Sequence, residues 1–196
     1  MKDFSNLIYG NKLKVPTPKG PKRYINFDNA ASTPPFKRGM HLLAEDAAWY
    51  ASVHRGAGYK SQLTTTKYDA ARGIIGRFLG YDPKHDVVIF TKNTTEGLNK
   101  VRHYLPYLSG ELIIYTLLEH HSNELPWQDY PCLRLESRNN QLDLDELERL
   151  LKLHRGNVKL LAVTGASNVT GYIPPINTLA EMAHDAGAMI LVDAAQ

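Results

Sequence analysis

Short apolar runs alternate along the chain with longer segments in which apolar residues recur at helical spacing. The runs are rich in branched residues and have the length of buried strands. They are DVVIF at 86–90, ELIIYTL at 111–117, CLRL at 132–135, VKLLAVT at 158–164 and AMILVD at 188–193, with one more short strand at 24–27. Strands that alternate with helices predict an α/β fold with a mostly parallel sheet and flanking helices.

Helical periodicity fills the segments between the runs. It predicts helices over 36–52, 62–79, 94–108, 142–154 and 176–187. The second should stop at Gly80, because glycine commonly ends a helix. Asn93 and Asp143 are each followed three residues later by an acid, Glu96 and Glu146, and this capping-box spacing predicts the starts of two helices.

The stretch FTKNTTEGLNKV, at 90–101, joins a predicted strand to a predicted helix. Thr94 and Thr95 carry hydroxyls at the helix start, where backbone N–H groups are left free. Such a helix start binds an anion, because the free amides and the positive end of the helix dipole both point at it. The alternative is that these residues only cap the helix, which is common in any globular protein. The local sequence leaves both interpretations open.

Composition limits the class of protein. The 196 residues are 43% hydrophobic, enough for one sizeable core, and the net charge of +3 comes from dispersed Lys and Arg, which does not indicate nucleic-acid binding. The basic, proline-containing segment 1–23 is predicted to be a solvated arm. The single Cys132 excludes an intramolecular disulfide. No apolar run has the length of a membrane span or a signal peptide, so we expect a cytoplasmic protein without membrane contact.

Polar residues follow four of the predicted strands. In an open parallel sheet, ligands bind outside the carboxyl ends of the strands. Four polar clusters at one edge are hard to explain as four independent caps. The clusters are Asn93, Thr94 and Thr95; Glu119, His120 and His121; Ser167 and Asn168; and Asp193.

Asp193 ends an apolar strand, where a carboxylate is costly to bury without a cationic or hydrogen-bonding partner. It is either an exposed strand-end residue or the partner of a protonated heterocyclic nitrogen. Together with an anion site at Thr94 and Thr95 and an imidazole at His120, the second interpretation calls for a phosphorylated, cationic aromatic ring. Pyridoxal 5'-phosphate is such a molecule, and an Asp beside its ring nitrogen keeps the ring protonated.

Six stretches between about residue 24 and residue 196 match one family in order and separation. They are NFDNAAS, SVHRGAGYKSQLTTTKYDAAR, TKNTTEGLN, LEHHSNELPW, ASNVTGYIPPI and AMILVDAAQ. The chain thereby resembles the class V aminotransferases, especially the group II cysteine desulfurases and selenocysteine lyases. Each match is weak alone and the combination is specific. The resemblance implies that 24–196 is part of the large domain of a fold type I pyridoxal-phosphate-dependent transferase, incomplete at its carboxyl end.

The resemblance also implies roles for individual residues. Thr94 and Thr95 would hold the cofactor phosphate. His120 would stack on the pyridine ring and assist proton transfer as the catalytic residue. Asp193 would pair with the ring nitrogen, and Gln196 would hydrogen-bond the phenolic oxygen of the ring.

The substrate side of the site is implied in the same way. Asn168 would line the pocket near the substrate carboxylate and close to the cofactor, and Ala30 and Ala31 match a substrate-binding turn. His54 and Arg55 match a loop near the active site, although a purely structural role stays open for these two. No metal site is predicted, because the remaining histidines lack ligand spacing.

The family implies a transferase or lyase acting on a small amino acid. We expect a cysteine desulfurase, which converts L-cysteine to L-alanine plus enzyme-bound sulfur, works as a homodimer and passes sulfur to an acceptor protein for iron–sulfur cluster assembly. Selenocysteine lyase, kynureninase-like hydrolase, epimerase, aminotransferase and a non-catalytic binding module remain alternatives. A nucleotide-binding Rossmann protein would need G-x-G-x-x-G after the first strand, which DNAASTPP does not supply.

The resemblance places the lysine that anchors the cofactor, and the desulfurase cysteine, beyond Gln196. We therefore expect the 196-residue chain to be inactive by itself.

Overall fold

A computed structural model describes residues 4–139 and 141–196 of the chain. The chain divides into two compact units, the first ending at Phe90 and the second beginning at Thr91. The domain boundary predicted between residues 23 and 24 stays a prediction.

The first unit contains a small hairpin and two helices. Strands β1 (Lys14–Val15) and β2 (Lys22–Arg23) pair antiparallel, and α1 (Lys37–Ala47) and α2 (Tyr59–Leu79) follow. Helix α2 ends as predicted at Gly80, whose φ of 73° lies in the left-handed region that glycine adopts without strain.

Few side chains of the first unit are buried. Among its described residues only Ser61 and Gly76 are buried, and apolar side chains of α2 such as Ile74, Phe78 and Leu79 are exposed. Hydrogen bonds join the segment after α1 to α2, as between the Ser61 hydroxyl and the Ser52 carbonyl at 2.7 Å, and no apolar side chain among the described residues of this unit is buried.

Four predictions for the first unit are wrong in their bounds or their type. Helix α2 begins at Tyr59 rather than at residue 62. No strand forms at 24–27, because Asn26 Oδ1 accepts a hydrogen bond from the Asp28 N–H at 2.8 Å and bends the chain there. The helix predicted over 36–52 ends at Ala47. Beyond it, side chains of α2 bond the backbone instead, with Lys60 Nζ donating to the Ala48 carbonyl at 2.8 Å.

The strand predicted at 86–90 is also wrong. The structure assigns these residues to no strand, and Val87 and Ile89 are 81% and 69% exposed. Branched residues favour a strand only where a neighbouring strand supplies hydrogen bonds and packing, and propensity alone does not replace that neighbour.

The second unit alternates strands and helices in the predicted order. Its helices are α3 (Thr94–Tyr104), α4 (His121–Glu124), α5 (Leu144–Leu153) and α6 (Ile176–Asp185). Its strands are β3 (Leu112–Thr116), β4 (Cys132–Leu135), β5 (Ser137–Arg138), β6 (Gln141–Leu142), β7 (Val158–Thr164) and β8 (Met189–Asp193). Helix α3 is shorter than predicted because Leu105 precedes Pro106, and a residue before proline is driven out of helical geometry.

Four of these strands form a parallel sheet, which confirms the predicted fold class. The order is β4-β3-β7-β8, with β3 and β7 in the centre and β4 and β8 at the edges. The short strands β5 and β6 form a separate antiparallel pair. None of the helices in the described parts of the chain has the length and apolar character needed to cross a membrane.

Two apolar clusters lie on opposite faces of the sheet. Alternate residues of a strand point to opposite faces, so Ile114 and Leu161 belong to one cluster, and Ile113 and Leu160 to the other. Helices α5 and α6 cover the first cluster with Leu147, Leu151, Leu179 and Ala183. Trp127, in a single 3-10 turn at Leu125–Trp127, covers the second.

The α5 packing yields a matched stability test. Leu147 is fully buried and Leu153, on the same helix, is 65% exposed. Leu147→Ala should lower the free energy of unfolding by roughly 2–5 kcal/mol because it leaves a cavity, whereas Leu153→Ala should change it by under about 0.5 kcal/mol. Urea unfolding followed by circular dichroism measures both. Equal effects of the two substitutions would contradict the packing described here.

Candidate functional site

The start of α3 combines a cap with free backbone donors. Asn93 Oδ1 accepts the Glu96 N–H at 2.9 Å, and the Asn93 carbonyl accepts the Gly97 N–H at 3.2 Å. The N–H groups of Thr94 and Thr95 have no acceptor among the described residues. The predicted cap is therefore confirmed. It leaves two N–H groups and the Thr94 hydroxyl free at the positive end of the helix, where an anion would bind.

Glu96 closes the capping arrangement on the other side. Its Oε2 accepts the Lys92 N–H at 2.6 Å, and its Oε1 lies 3.4 Å from Lys100 Nζ. The hydrogen bond from Lys92, followed by the ammonium of Lys100, holds the pKa of Glu96 below its usual value. This carboxylate stays charged near neutral pH, and its hydrogen bond from the Lys92 N–H is part of the cap of α3.

A chain of hydrogen bonds joins the start of α3 to His120. Thr95 Oγ1 lies 2.7 Å from Ser122 Oγ, which in turn lies 3.0 Å from His120 Nδ1. The Ser122 N–H also donates to His120 Nδ1 at 3.1 Å, so His120 is the N-cap of α4. A backbone N–H can only donate, and this assigns the proton of the neutral imidazole to Nε2. His120 therefore presents an N–H at its exposed nitrogen.

Asp193 lies at the end of β8 and is 5% exposed. Its Oδ1 accepts the Ala195 N–H at 3.1 Å, and its backbone is paired with Thr164 of β7. A buried carboxylate with a hydrogen bond from its own loop retains acceptor capacity for a donor from outside the chain.

Glu119 is the carboxylate that the sequence interpretation left without a role. It accepts hydrogen bonds from the Thr116 hydroxyl at 2.5 Å, the Asn123 amide at 2.6 Å and the Thr164 N–H at 2.8 Å. Burial raises the pKa of Glu119 to about 7 and the charge of Asp193 adds to the increase, while the three hydrogen bonds oppose it.

The two remaining cofactor-side predictions also follow strands of the second unit. Asn168 lies in an exposed turn after β7, closed by a hydrogen bond from the Gly171 N–H to the Ser167 carbonyl at 2.9 Å. Gln196 is exposed, three residues after Asp193. The side chains of Asn168 and Gln196 make no hydrogen bond to the described residues, and their roles stay predictions.

The substrate-side predictions fall in the first unit. Ala30 and Ala31 lie in a turn in which Asp28 Oδ1 accepts the Ala31 N–H at 3.2 Å. His54 has a φ of 55°, uncommon for a residue other than glycine, and its Nε2 lies 3.2 Å from Asp69 Oδ2. The Arg55 carbonyl accepts the Ser61 hydroxyl at 3.0 Å. All four assignments to substrate binding stay predictions.

Sequence interpretation placed Glu119 in a polar cluster without giving it a role, and it missed Asn123. A signal was present in EHHSNELPW, because Glu119, Asn123 and Trp127 are spaced by four residues. That spacing places side chains on one face of a helical segment. Trp127 Nε1 does donate to Asn123 Oδ1, at 3.3 Å, and so extends the network around Glu119.

Comparison with known proteins identifies the family. The model of the aminotransferase class-V family matches residues 25–196. The chain belongs to the class-V aminotransferase family. Among curated proteins it is similar to a probable cysteine desulfurase of Pyrococcus abyssi, with 38% identity over 88% of this chain and 44% of the relative. A probable cysteine desulfurase of Synechocystis is 34% identical over 88% and 43% of the two chains.

Solved structures named as cysteine desulfurases have the same fold. The apo structure of a cysteine desulfurase from Thermococcus onnurineus superposes with a TM-score of 0.77 at 35% identity, covering 86% of this chain and 43% of that one. An Escherichia coli cysteine desulfurase has a TM-score of 0.70 at 29% identity, with coverages of 86% and 44%. The chain thus spans less than half the length of the relatives it matches.

The raised pKa of Glu119 has a consequence for stability. The pKa rises from 4.5 to about 7 on folding, so the folded protein binds more protons than the unfolded chain between these values. The contribution of Glu119 to the free energy of unfolding should then be greatest below about pH 4.5 and fall, by an amount on the order of 3 kcal/mol, as the pH rises through 7.

Carboxyl carbon-13 NMR titration should find the Glu119 midpoint near pH 7. Glu124, in the adjacent short helix α4, gives a matched carboxyl resonance. A Glu119 midpoint near 4.5 would contradict the burial that the structure gives it.

Proposed function

We propose that this chain is the main part of the cofactor-binding region of a pyridoxal-phosphate-dependent cysteine desulfurase. One observation carries the proposal. Thr95, Ser122 and His120 form a continuous hydrogen-bonded chain, and β3 and β8, the strands that precede His120 and end at Asp193, belong to one parallel sheet. The free N–H groups at the start of α3, the His120 imidazole and the buried Asp193 carboxylate all belong to the second unit.

The donor set fits pyridoxal 5'-phosphate. The N–H groups of Thr94 and Thr95 and the free Thr94 hydroxyl would hold the phosphate at the start of α3. The buried Asp193 carboxylate would accept a hydrogen bond from the ring nitrogen, which the cofactor needs protonated. The exposed imidazole of His120 offers a flat surface for stacking and an N–H donor at Nε2.

Pyridoxal phosphate, when bound, supplies an electron sink for the bonds at the α-carbon of an amino acid. The residues of this chain would orient the ring and manage protons around it. Asp193 would keep the ring nitrogen protonated, and His120 would hold or move a proton at Nε2 because its Nδ1 is occupied by Ser122. Gln196 would bond the phenolic oxygen, and Asn168 would lie near the substrate carboxylate.

The substrate we propose is L-cysteine, with L-alanine and enzyme-bound sulfur as products. The relatives named as cysteine desulfurases in Pyrococcus abyssi and Synechocystis support this choice over other reactions of the family. The same proposal includes a homodimer, a sulfur-acceptor protein, a role in iron–sulfur cluster assembly and a cytoplasmic location. Formation of L-alanine from L-cysteine by a full-length protein containing this chain, with sulfide released when a thiol reductant is added, tests it.

The phosphate site can be tested apart from catalysis. Thr94→Val removes one hydroxyl that makes no hydrogen bond to the described residues, so it should leave the fold intact. We expect it to weaken binding of pyridoxal phosphate by about tenfold, the scale of one lost hydrogen bond to a charged group. Binding of pyridoxal, which lacks the phosphate, should not change. Fluorescence titration measures both ligands, and equal weakening of the two would place the phosphate elsewhere.

Asp193 can be tested by spectroscopy. With the cofactor labelled with nitrogen-15 in its ring, the wild-type chain should give the chemical shift of a protonated ring nitrogen at pH 8. Asp193→Asn should give the unprotonated shift, because the amide cannot stabilise the pyridinium charge. Asp185→Asn, at the exposed end of α6, is the control and should leave the shift unchanged. A protonated ring in Asp193→Asn would remove Asp193 from the role proposed for it.

A further inference from the structure

The carboxylate of Glu119 joins three elements at the edge of the sheet. Oε1 accepts the Thr116 hydroxyl, at the end of β3, and the Thr164 N–H, at the end of β7. Oε2 accepts the Asn123 amide of α4. The last paired residues of β3 and β7 are Tyr115 and Ala162, so Thr164 lies beyond that pairing. Glu119 therefore supplies the acceptor that strand β3 no longer provides.

Trp127 determines which groups of this hydrogen-bond network donate and which accept. Its indole N–H can only donate, so the oxygen of the Asn123 amide must face it, at 3.3 Å. The nitrogen of the same amide is thereby turned to Glu119, at 2.6 Å. Asn123 and Trp127 are both fully buried. A reversed amide would leave two buried donors opposed, and that arrangement is strongly unfavourable.

The network holds both ends of the segment that carries His120. Glu119 precedes His120 and is bound to two strand ends, while Asn123 follows it and is bound through Glu119 and Trp127. Within this segment the Asn123 N–H donates to the His120 carbonyl at 2.8 Å, and the Ser122 N–H donates to the His120 ring at 3.1 Å. Any shift of Glu119 relative to Asn123 would alter this turn first.

We propose that Glu119 is a positioning residue, whose hydrogen bonds to Thr116, Thr164 and Asn123 set the placement of the His120 ring against Ser122 and Thr95. The importance of that placement for the reaction rests on the function proposed above for His120. Glu119 would thereby belong to the same site as His120 without touching the cofactor.

Exchanging the carboxylate at position 119 and the amide at position 123 tests the proposal, because the double exchange should restore what the single exchange disrupts. In Glu119→Gln, an NH2 group replaces one oxygen. In one orientation it opposes the Asn123 amide, which Trp127 prevents from turning, and in the other it opposes the Thr164 N–H. The double variant Glu119→Gln/Asn123→Asp keeps the net charge and the heavy-atom outline. Its new carboxylate at position 123 accepts from both Trp127 and the new amide, so every donor again has an acceptor.

NMR of the whole chain labelled with nitrogen-15 gives a local measurement. The wild type should show a coupling across the hydrogen bond between the Ser122 amide nitrogen and His120 Nδ1. Glu119→Gln should lose this coupling and exchange its Ser122 amide hydrogen about tenfold faster, the scale of one lost hydrogen bond. The double variant should restore both. Glu124→Gln is the matched control, because the Glu124 carboxylate makes no hydrogen bond to the described residues, and it should change neither.

Milder and global measurements accompany this test. Thr116→Val removes one donor to Glu119 and also the hydroxyl that accepts the Leu118 N–H at 3.2 Å. It should speed Ser122 exchange by a smaller factor, so the test does not depend on the folding of Glu119→Gln. Urea unfolding of each variant separates a local change at Ser122 from a general loss of stability.

The outcomes separate this inference from the proposed function. Unchanged coupling and exchange in Glu119→Gln and Thr116→Val would overturn the positioning role, and so would a double variant that folds but fails to restore the coupling. If the coupling is lost in Glu119→Gln and restored in the double variant, the positioning role is supported. This holds even if all variants bind pyridoxal phosphate with the same affinity. An affinity that stays constant while the coupling is lost would instead contradict the cofactor-stacking role of His120.

Discussion

The parallel pairing of β3 with β7 is the interaction on which the second unit depends. These are the two central strands, and each has an edge strand on its other side. Both apolar clusters are built from their alternating residues, so the pairing register decides which side chains face α5 and α6 and which face Trp127. The same register brings the ends of the two strands together, where Glu119 meets Thr164.

Sequence patterns predicted this unit well because each of its signals has a local cause. The run VKLLAVT is apolar apart from Lys159 and Thr164 because β7 is buried on both faces, and it forms a strand over the predicted residues. Asn93 and Asp143 cap helices because a short side chain with an oxygen satisfies a free N–H without any tertiary contact. Such features require no knowledge of distant parts of the chain.

The failures have a cause that is not local. Residues 86–90 have strand composition, but a strand exists only with a hydrogen-bonded neighbour, and composition does not report whether one is present. The same limit applies to the site. Asp193 and Thr94 were predicted from strand ends and a helix start, whereas the role of Glu119 depends on Thr164, 45 residues away. No pattern within one segment announces a contact of that range.

The position of β8 at the edge of the sheet sets a rule for anything that joins it. Among the described residues β8 pairs only with β7, so its outer side offers backbone donors and acceptors to one further strand. A strand added there in parallel, continuing the direction of the other four, would end beside Asp193. The first residues after such a strand would then lie close to Asp193. The edge of β8 therefore determines which part of any added segment becomes a neighbour of the buried Asp193 carboxylate.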